Sequence, residues 1–170
     1  MKINSETEIR NVFKTESQAI MNIPVTKQYA EAVDLIFEHV HKRKGKLIAS
    51  GLGKAGEIAN SIATLFSSTG TPAVFLHPSE AQHGDLGVMQ DNDVLLIVSN
   101  SGETREVIEL LDLAERLVSY LPVILISGNE NSRLWQRAVI GISTGNPEEV
   151  CALGLAPTTS TTVMAAIGDA

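Results

Sequence analysis

This sequence predicts a three-layer α/β domain with a parallel sheet between helices, on three observations. Short apolar runs alternate with helical stretches from Lys46 onward, as in "KLIASGLGKAGEIANSIATLFSSTG" and "DVLLIVSNSGETREVIELLDLAERL". Those runs are continuously apolar rather than alternating, the pattern of strands covered by helices on both faces. The chain has 170 residues, 44% hydrophobic and 19% charged. That size fits one domain, because it lets roughly 70% of the unfolded surface leave water. Residues 1–170 are therefore read as a single domain, with N-terminal helices over 1–45 and an α/β core over 46–170.

The first 45 residues predict two helices parted at "NIPVTKQ", where Pro24 disfavours helix for Ile23 and Thr26 can cap the second start. Tyr29, Ala32, Val33, Ile36, Phe37 and Val40 recur at steps of three and four, which predicts a face laid on a core. Lys42, Arg43 and Lys44 suit the negative end of a helix dipole, and Gly45 is placed to stop the helix. His39 and His41, near that end, are expected at the surface. Strands are expected at 46–50, 73–76, 93–98 and 122–127, with a weaker pattern at 138–142. Trp135 stands alone and is expected to fill a packing position. After the polar turn "STGNPEEVCALGLAP", the stretch "TSTTVMAAIGDA" reads as a helix entered through Thr and Ser. It lacks a C-cap, as a helix continuing in a longer protein would.

The net charge of −7 and the 4% aromatic content oppose general binding to nucleic acid or anionic membranes. No apolar run approaches the ~18–20 residues of a bilayer span. With one cysteine, Cys151, and no apolar signal region in "MKINSETEIRNVFKTESQ", a cytoplasmic setting is expected. Any anion must be recognised locally.

Two strand-to-helix crossings, "IASGLGKAGEIA" and "IVSNSGETREVI", share a design in which a buried strand ends in Ser and Gly and a helix opens. Backbone N–H groups and hydroxyls then converge at the strand's carboxyl end, a geometry that suits phosphate. In the second crossing Ser99, Asn100, Ser101, Gly102 and Thr104 provide short polar groups. The alternative is a capping box, with Asn100 as N-cap and Glu103 three residues on. "GLGKAG" is neither the dinucleotide fingerprint nor a Walker loop. Lys54 within it puts a cation against the positive end of a helix, where it can neutralise phosphate or a developing oxyanion. Glu103 and Glu106 are explained by the same dipole, although a carboxylate beside a sugar carbon can also serve as a general base. "HPSEAQHGDLG" gathers His77, Glu80, His83 and Asp85, but the spacing matches no zinc signature, so no metal is expected and His83 is kept as a polar group facing substrate. Glu148 and Glu149 read as a solvated acidic turn before a hydroxyl-rich helix entry, and Cys151 as a small buried side chain.

Taken together, "GLGKAG", "STGTPAVFLHPSEAQHGDLG", "SNSGETRE" and "EVCALGLAPTTSTTVMAAIGDA" resemble, in this order from about Lys46 to Ala170, the sugar isomerase (SIS) domain, and its arabinose 5-phosphate isomerase branch in particular. The resemblance implies the three-layer SIS fold with a five-stranded parallel sheet flanked by helices. It implies interconversion of D-ribulose 5-phosphate and D-arabinose 5-phosphate through a cis-enediol, feeding Kdo synthesis for lipopolysaccharide or capsule, with no cofactor. Lys54, Glu106, Glu149 and His83 match its catalytic or rim positions. Ser50, Gly51, Ser99, Asn100, Ser101, Gly102, Thr104, Thr158, Ser160 and Thr161 match its substrate-binding segments. It implies a homodimer or homotetramer with sites between subunits. A non-catalytic sugar-phosphate sensor, or an isomerase of another ketose phosphate, is the alternative. The sequence departs from the pattern at Ala55 and Glu57, where relatives carry Ser and His, and at the alanine after Cys151, where proline is common. The family's later "SHPGG" segment and paired CBS domains do not occur within these residues.

Overall fold

A computed structural model of the chain describes residues 5–170. Five strands form, β1 (Leu47–Ser50), β2 (Ala73–Phe75), β3 (Val94–Val98), β4 (Val123–Ser127) and β5 (Ile140–Ser143). They make one sheet in the order β2-β1-β3-β4-β5, with every pair parallel. All five lie where the apolar runs predict them.

The continuous apolar runs have a direct structural reason, since alternate residues of each central strand feed two different cores. Leu47, Ala49, Leu96, Val98, Ile124 and Ile126 face one core, whose other wall comes from α2 (Gln28–Ile36), α3 (Gly53–Ser68) and α7 (Thr159–Asp169). Ile48, Leu95, Ile97 and Leu125 face the second, closed by α4 (Pro78–Ala81), α5 (Arg105–Leu117) and α6 (Arg133–Arg137). Fully burying a side chain such as Leu95 or Leu111 contributes about 1.5–3 kcal/mol. Trp135 packs where Gly141 of β5 leaves room, since a Cβ on Gly141 would run into the indole ring at 2.7 Å.

The N-terminal helices differ from expectation in four ways. Residues 5–21 form α1 (Ser5–Met21), but Thr26 makes no side-chain cap: Lys27 occupies the N-cap position of α2 without one. The apolar stripe of α2 is only half buried, because its buried arc is centred on Ala32 and Ile36, leaving Val33 and Phe37 at the edge, 62% and 53% exposed. From Phe37 to Lys42 the helix widens into π-helical turns, with Arg43 N–H bonded to Glu38 O. His39, expected at the surface, is buried, with Nδ1 3.2 Å from the Asn92 carbonyl oxygen, because it follows Ala32 by seven residues and shares the helix face that meets the core. Lys44, not Gly45, adopts the left-handed conformation that ends the helix (φ 62°). Gly45 is required for a different reason, because any Cβ there would collide with the Asn92 carbonyl.

The chain leaves β1 through α3 toward β2 and leaves β3 through α5 toward β4, on opposite sides of the sheet. The strand order therefore reverses between β1 and β3, and a crevice opens beyond their carboxyl ends. No helix among the described residues is long and apolar enough to cross a membrane.

Candidate functional site

A cleft of about 530 Å³ lies at that switch point. The start of α3, the β3–α5 loop, the β4–α6 turn, Asn146 and the N-terminus of α7 line it.

The β3–α5 loop is folded by its own short side chains. Ser99 Oγ is 3.1 Å from Thr104 Oγ1 and accepts from Gly102 N–H at 3.2 Å, while Ser101 Oγ accepts from Glu103 N–H at 3.2 Å. Gly102 takes φ +62° and packs so closely on Ser132 that no side chain fits. The loop carbonyls are taken up by the neighbouring turn: Gly128 N–H and Ser127 Oγ bond Asn100 O, Asn129 Nδ2 bonds Ser101 O, and Leu134 N–H bonds Gly102 O.

This geometry corrects the capping-box reading. Helix α5 begins at Arg105 behind Thr104, so Asn100 is not its N-cap. Glu103 reaches instead to α6, accepting from Arg133 N–H at 2.7 Å and Arg133 Nε at 2.6 Å. That backbone N–H and then the guanidinium hold its carboxyl below the usual range.

At α7 the acidic turn acquires a role that its sequence did not suggest. Glu149 Oε2 accepts from Thr158 N–H (2.7 Å), Thr158 Oγ1 (3.1 Å) and Ser160 N–H (3.4 Å), so a carboxylate sits on the positive end of the helix. Partial burial pushes this carboxyl upward, but the donors of Ser160 and Thr158 outweigh it and the pKa lies below its ordinary value. The adjacent Ser160 Oγ is 1% exposed and lines the cleft; it makes no hydrogen bond of good geometry among the described residues, although its hydroxyl lies near enough to Glu149 to help lower that carboxyl. An orphaned buried hydroxyl costs about 1–3 kcal/mol and calls for an explanation; a ligand in the cleft supplies one.

Of the residues singled out from sequence, Lys54, Ser99, Asn100, Ser101, Thr104, Ser160 and Thr161 meet in this cleft. Lys54 is exposed and makes no ion pair among the described residues, which leaves its ammonium for an anion.

The others lie elsewhere, and Glu149 adjoins the cleft through its hydrogen bond from Ser160 N–H without lining it. Ser50 cannot contact a ligand as expected, because its hydroxyl is fully buried and donates to Leu76 O at 2.7 Å. Gly51 is a packing glycine, whose Cβ would lie 2.8 Å from Val98 O, and it borders a separate small pocket with Glu57 and His77. Gly102 shapes the loop from beneath, and the Thr158 hydroxyl is directed to Glu149 rather than to the cleft. Glu106 is half-buried in the first turn of α5 and does not line the cleft; His83 is exposed on the turn after α4 and does not line it either. His77 Nδ1 caps α4 by accepting from Ser79 N–H at 3.3 Å, and among the described residues no group of three or more His, Cys, Asp or Glu could hold a metal ion. Cys151 is half-buried rather than buried, and backbone N–H groups of Ala156, Leu155 and Leu153 pull its thiol below the ordinary value.

Sequence reasoning missed Gly128, Asn129 and Asn146 as cleft residues. A signal was present for the first two: "LISGNENS" is a third strand ending in Ser-Gly, like the two crossings already recognised. For Asn146 the signal was the Gly-Asn pair after β5, both in the left-handed conformation.

Comparison with known proteins places the fold in a family. The SIS domain model matches residues 39–170. The arabinose 5-phosphate isomerase KdsD of Yersinia pestis is 39% identical over 163 residues, which is 95% of this chain and 48% of that protein. The chain thus spans about half the length of the curated relatives it matches. A crystal structure of a candidate phosphosugar isomerase involved in capsule formation from Bacteroides fragilis is 57% identical, with a TM-score of 0.96, covering 98% of this chain and 86% of that one. A protein of E. coli CFT073, solved in complex with arabinose 5-phosphate, is 32% identical with a TM-score of 0.84, covering 99% of this chain and 88% of that one. The chain belongs to the SIS domain family.

Proposed function

We propose that this chain is an aldose–ketose isomerase that interconverts D-arabinose 5-phosphate and D-ribulose 5-phosphate. The observation that carries the reading is the cleft itself. Hydroxyls of Ser99, Ser101, Thr104, Ser160 and Thr161 and a Lys54 without an ion-pair partner among the described residues line it, and Glu149, its pKa lowered, is joined to it through Ser160. The KdsD relatives and the neighbour solved with arabinose 5-phosphate support the choice of sugar.

Phosphate is held by the hydroxyls and by Lys54, while the N-terminus of α7 holds Glu149, an arrangement that lets a chain of net charge −7 recognise an anion locally. Glu149 keeps one oxygen on the α7 donors, while Oε1 makes no hydrogen bond among the described residues. As a carboxylate it takes the C2 proton of the aldose, and the electron pair forms the C1–C2 double bond of a cis-enediol as O1 gains a proton. Loss of the O2 proton then restores a carbonyl at C2, and the carried proton is delivered to C1. Lys54 stabilises the oxyanion character that develops on the way. No electrons leave the substrate, so the step needs no redox group. Glu106 and His83, outside this cleft, act in the reading only where a neighbouring copy closes the site.

A homo-oligomer belongs to the same proposal. No residue of α1 is buried, and Phe13, Met21, Val33 and Phe37 leave an apolar surface over α1 and α2 that a second copy would cover. A cytoplasmic setting, where sugar phosphates and a free Cys151 thiol both persist, completes it, with a role in supplying Kdo for lipopolysaccharide or capsule.

The test is turnover. Purified protein should convert D-ribulose 5-phosphate to D-arabinose 5-phosphate, and Glu149→Gln should abolish the conversion while retaining binding. Binding by the wild-type protein without conversion would leave a sugar-phosphate sensor instead.

A further inference from the structure

We propose that Asn146, acting with Asn100 across the bare backbone of Gly128, forms a carboxamide wall that reads the hydroxyls of the sugar and so selects among sugar phosphates. This deepens the isomerase reading and rests on it for the identity of the ligand.

Four observations from different parts of the chain converge on this wall. Among the described residues only Lys44 and Asn146 take positive φ without being glycine, and Lys44 ends a helix. Asn146 (φ 48°) instead follows Gly145 (φ 74°) in a turn that contributes to the cleft lining. Left-handed backbone is unfavourable for any side chain, least so for Asn, and such strain persists where surrounding structure holds it. Here the hold is visible: Asn146 N–H donates to Thr144 Oγ1 at 3.3 Å, Thr144 is buried, and Gly145 packs against the Pro24 ring of the α1–α2 connection.

Gly128 provides the third observation. A Cβ built there would stand 2.7 Å from Asn100 Oδ1 and 3.1 Å from Asn146 Oδ1. Two carboxamides from separate loops therefore meet over a position that stays open only because it is glycine. Fourth, neither carboxamide makes a side-chain hydrogen bond among the described residues, whereas neighbouring Asn129 uses both ends, donating to Ser101 O and accepting from Asn131 N–H.

The chemistry of the wall complements the rest of the cleft. Among the described residues Lys54 is the one charged member of its lining, and the hydroxyl cluster provides the remaining phosphate contacts. A carboxamide offers donors and an acceptor without charge, which matches a sugar hydroxyl that both donates and accepts. A carboxylate in the same place would repel the phosphate, and an apolar residue would leave the hydroxyl unpaired. Sites built to bond a hydroxyl discriminate strongly against ligands that lack or misplace it.

Asn146→Gly is the sharpest test, because glycine keeps the left-handed backbone and removes only the carboxamide. Gly128→Ala is the second variant, crowding both carboxamides from the opposite side, and serves alone if the first fails to fold. The readouts are kcat/KM for arabinose 5-phosphate, the same quantity for its C2 epimer ribose 5-phosphate, and the inhibition constant of inorganic phosphate. We expect each variant to lose at least tenfold in kcat/KM for arabinose 5-phosphate and to narrow its preference over the epimer, with phosphate inhibition held within twofold. A loss below twofold, or an equal loss for sugar phosphate and inorganic phosphate, overturns the wall. If the wild-type protein shows no turnover, the isomerase reading has failed, and calorimetric binding of arabinose 5-phosphate against inorganic phosphate applies the same ratio to the wall. Wild-type binding of the sugar phosphate no tighter than that of inorganic phosphate also overturns it.

Discussion

The two edges of the sheet carry similar polar chemistry and treat it in opposite ways. At the amino edge Asp93 is fully buried, yet it accepts from Lys46 N–H at 2.9 Å, Lys46 Nζ at 2.7 Å and Gln90 N–H at 2.8 Å. The Asn92 carbonyl meets the buried His39 ring, and Asn92 Nδ2 bonds Arg43 O. At the carboxyl edge Ser160 Oγ is buried without a partner, and Lys54, Asn100 and Asn146 lack side-chain partners among the described residues. Polar groups that satisfy one another hold the fold together. Groups left unsatisfied in one place, at the switch point of an α/β sheet, mark where a ligand completes the structure.

This contrast breaks if mutations at the two edges have the same effect. Asp93→Ala should give the largest change: removing one member of a buried hydrogen-bonded pair costs about 3–5 kcal/mol, read in a denaturant melt. Sugar-phosphate affinity measured below the melting transition should stay within twofold. Lys54→Met should do the reverse, lowering kcat/KM by about 10²–10³, a loss of about 2.7–4 kcal/mol in transition-state stabilisation, with an unchanged melting temperature. An equal loss of stability in that variant would erase the distinction between the edges.

Much of this division was legible in the sequence, and the part that was not has physical reasons. The five strands follow from continuous apolar runs, since β1, β3 and β4 are buried on both faces and are apolar up to the closing serines of β1 and β4. The β3–α5 loop was legible as part of the cleft because Ser, Gly and Thr follow a strand and open a helix at its carboxyl end. The role of Glu103 was misread because a capping box is a local pattern, whereas its real partner, Arg133, lies 30 residues away. Ser50 was misjudged for a related reason: nothing near it in sequence announces that its hydroxyl will meet the Leu76 carbonyl. His39 was misplaced because a polar residue near a helix end was read as exposed, although it follows Ala32 by seven residues and shares its buried face.

Two smaller effects sharpen the comparison. Ser160→Ala removes an orphaned hydroxyl, so the unliganded protein should become more stable by about 1 kcal/mol, while arabinose 5-phosphate binds roughly tenfold more weakly. Thermal melts with and without the sugar phosphate read both signs in one experiment. Glu149 should give the smallest change in stability. Its pKa is lowered in the folded chain, so its contribution is complete above the ordinary carboxyl pKa and is lost as the pH falls through the folded value. As a helix cap it contributes about 1 kcal/mol, and Glu149→Gln should flatten this acid limb of the stability profile.

The most direct test of the carboxyl edge as an isomerase site is proton NMR of arabinose 5-phosphate incubated with the protein in D2O. The proposed chemistry predicts a ribulose 5-phosphate product and, to the extent that the proton on Glu149 exchanges with solvent before it is delivered, loss of proton signal at its C1 and at C2 of recovered arabinose 5-phosphate, with neither change in Glu149→Gln. Arabinose 5-phosphate that binds, yet returns without exchange and without a ketose product, would contradict it.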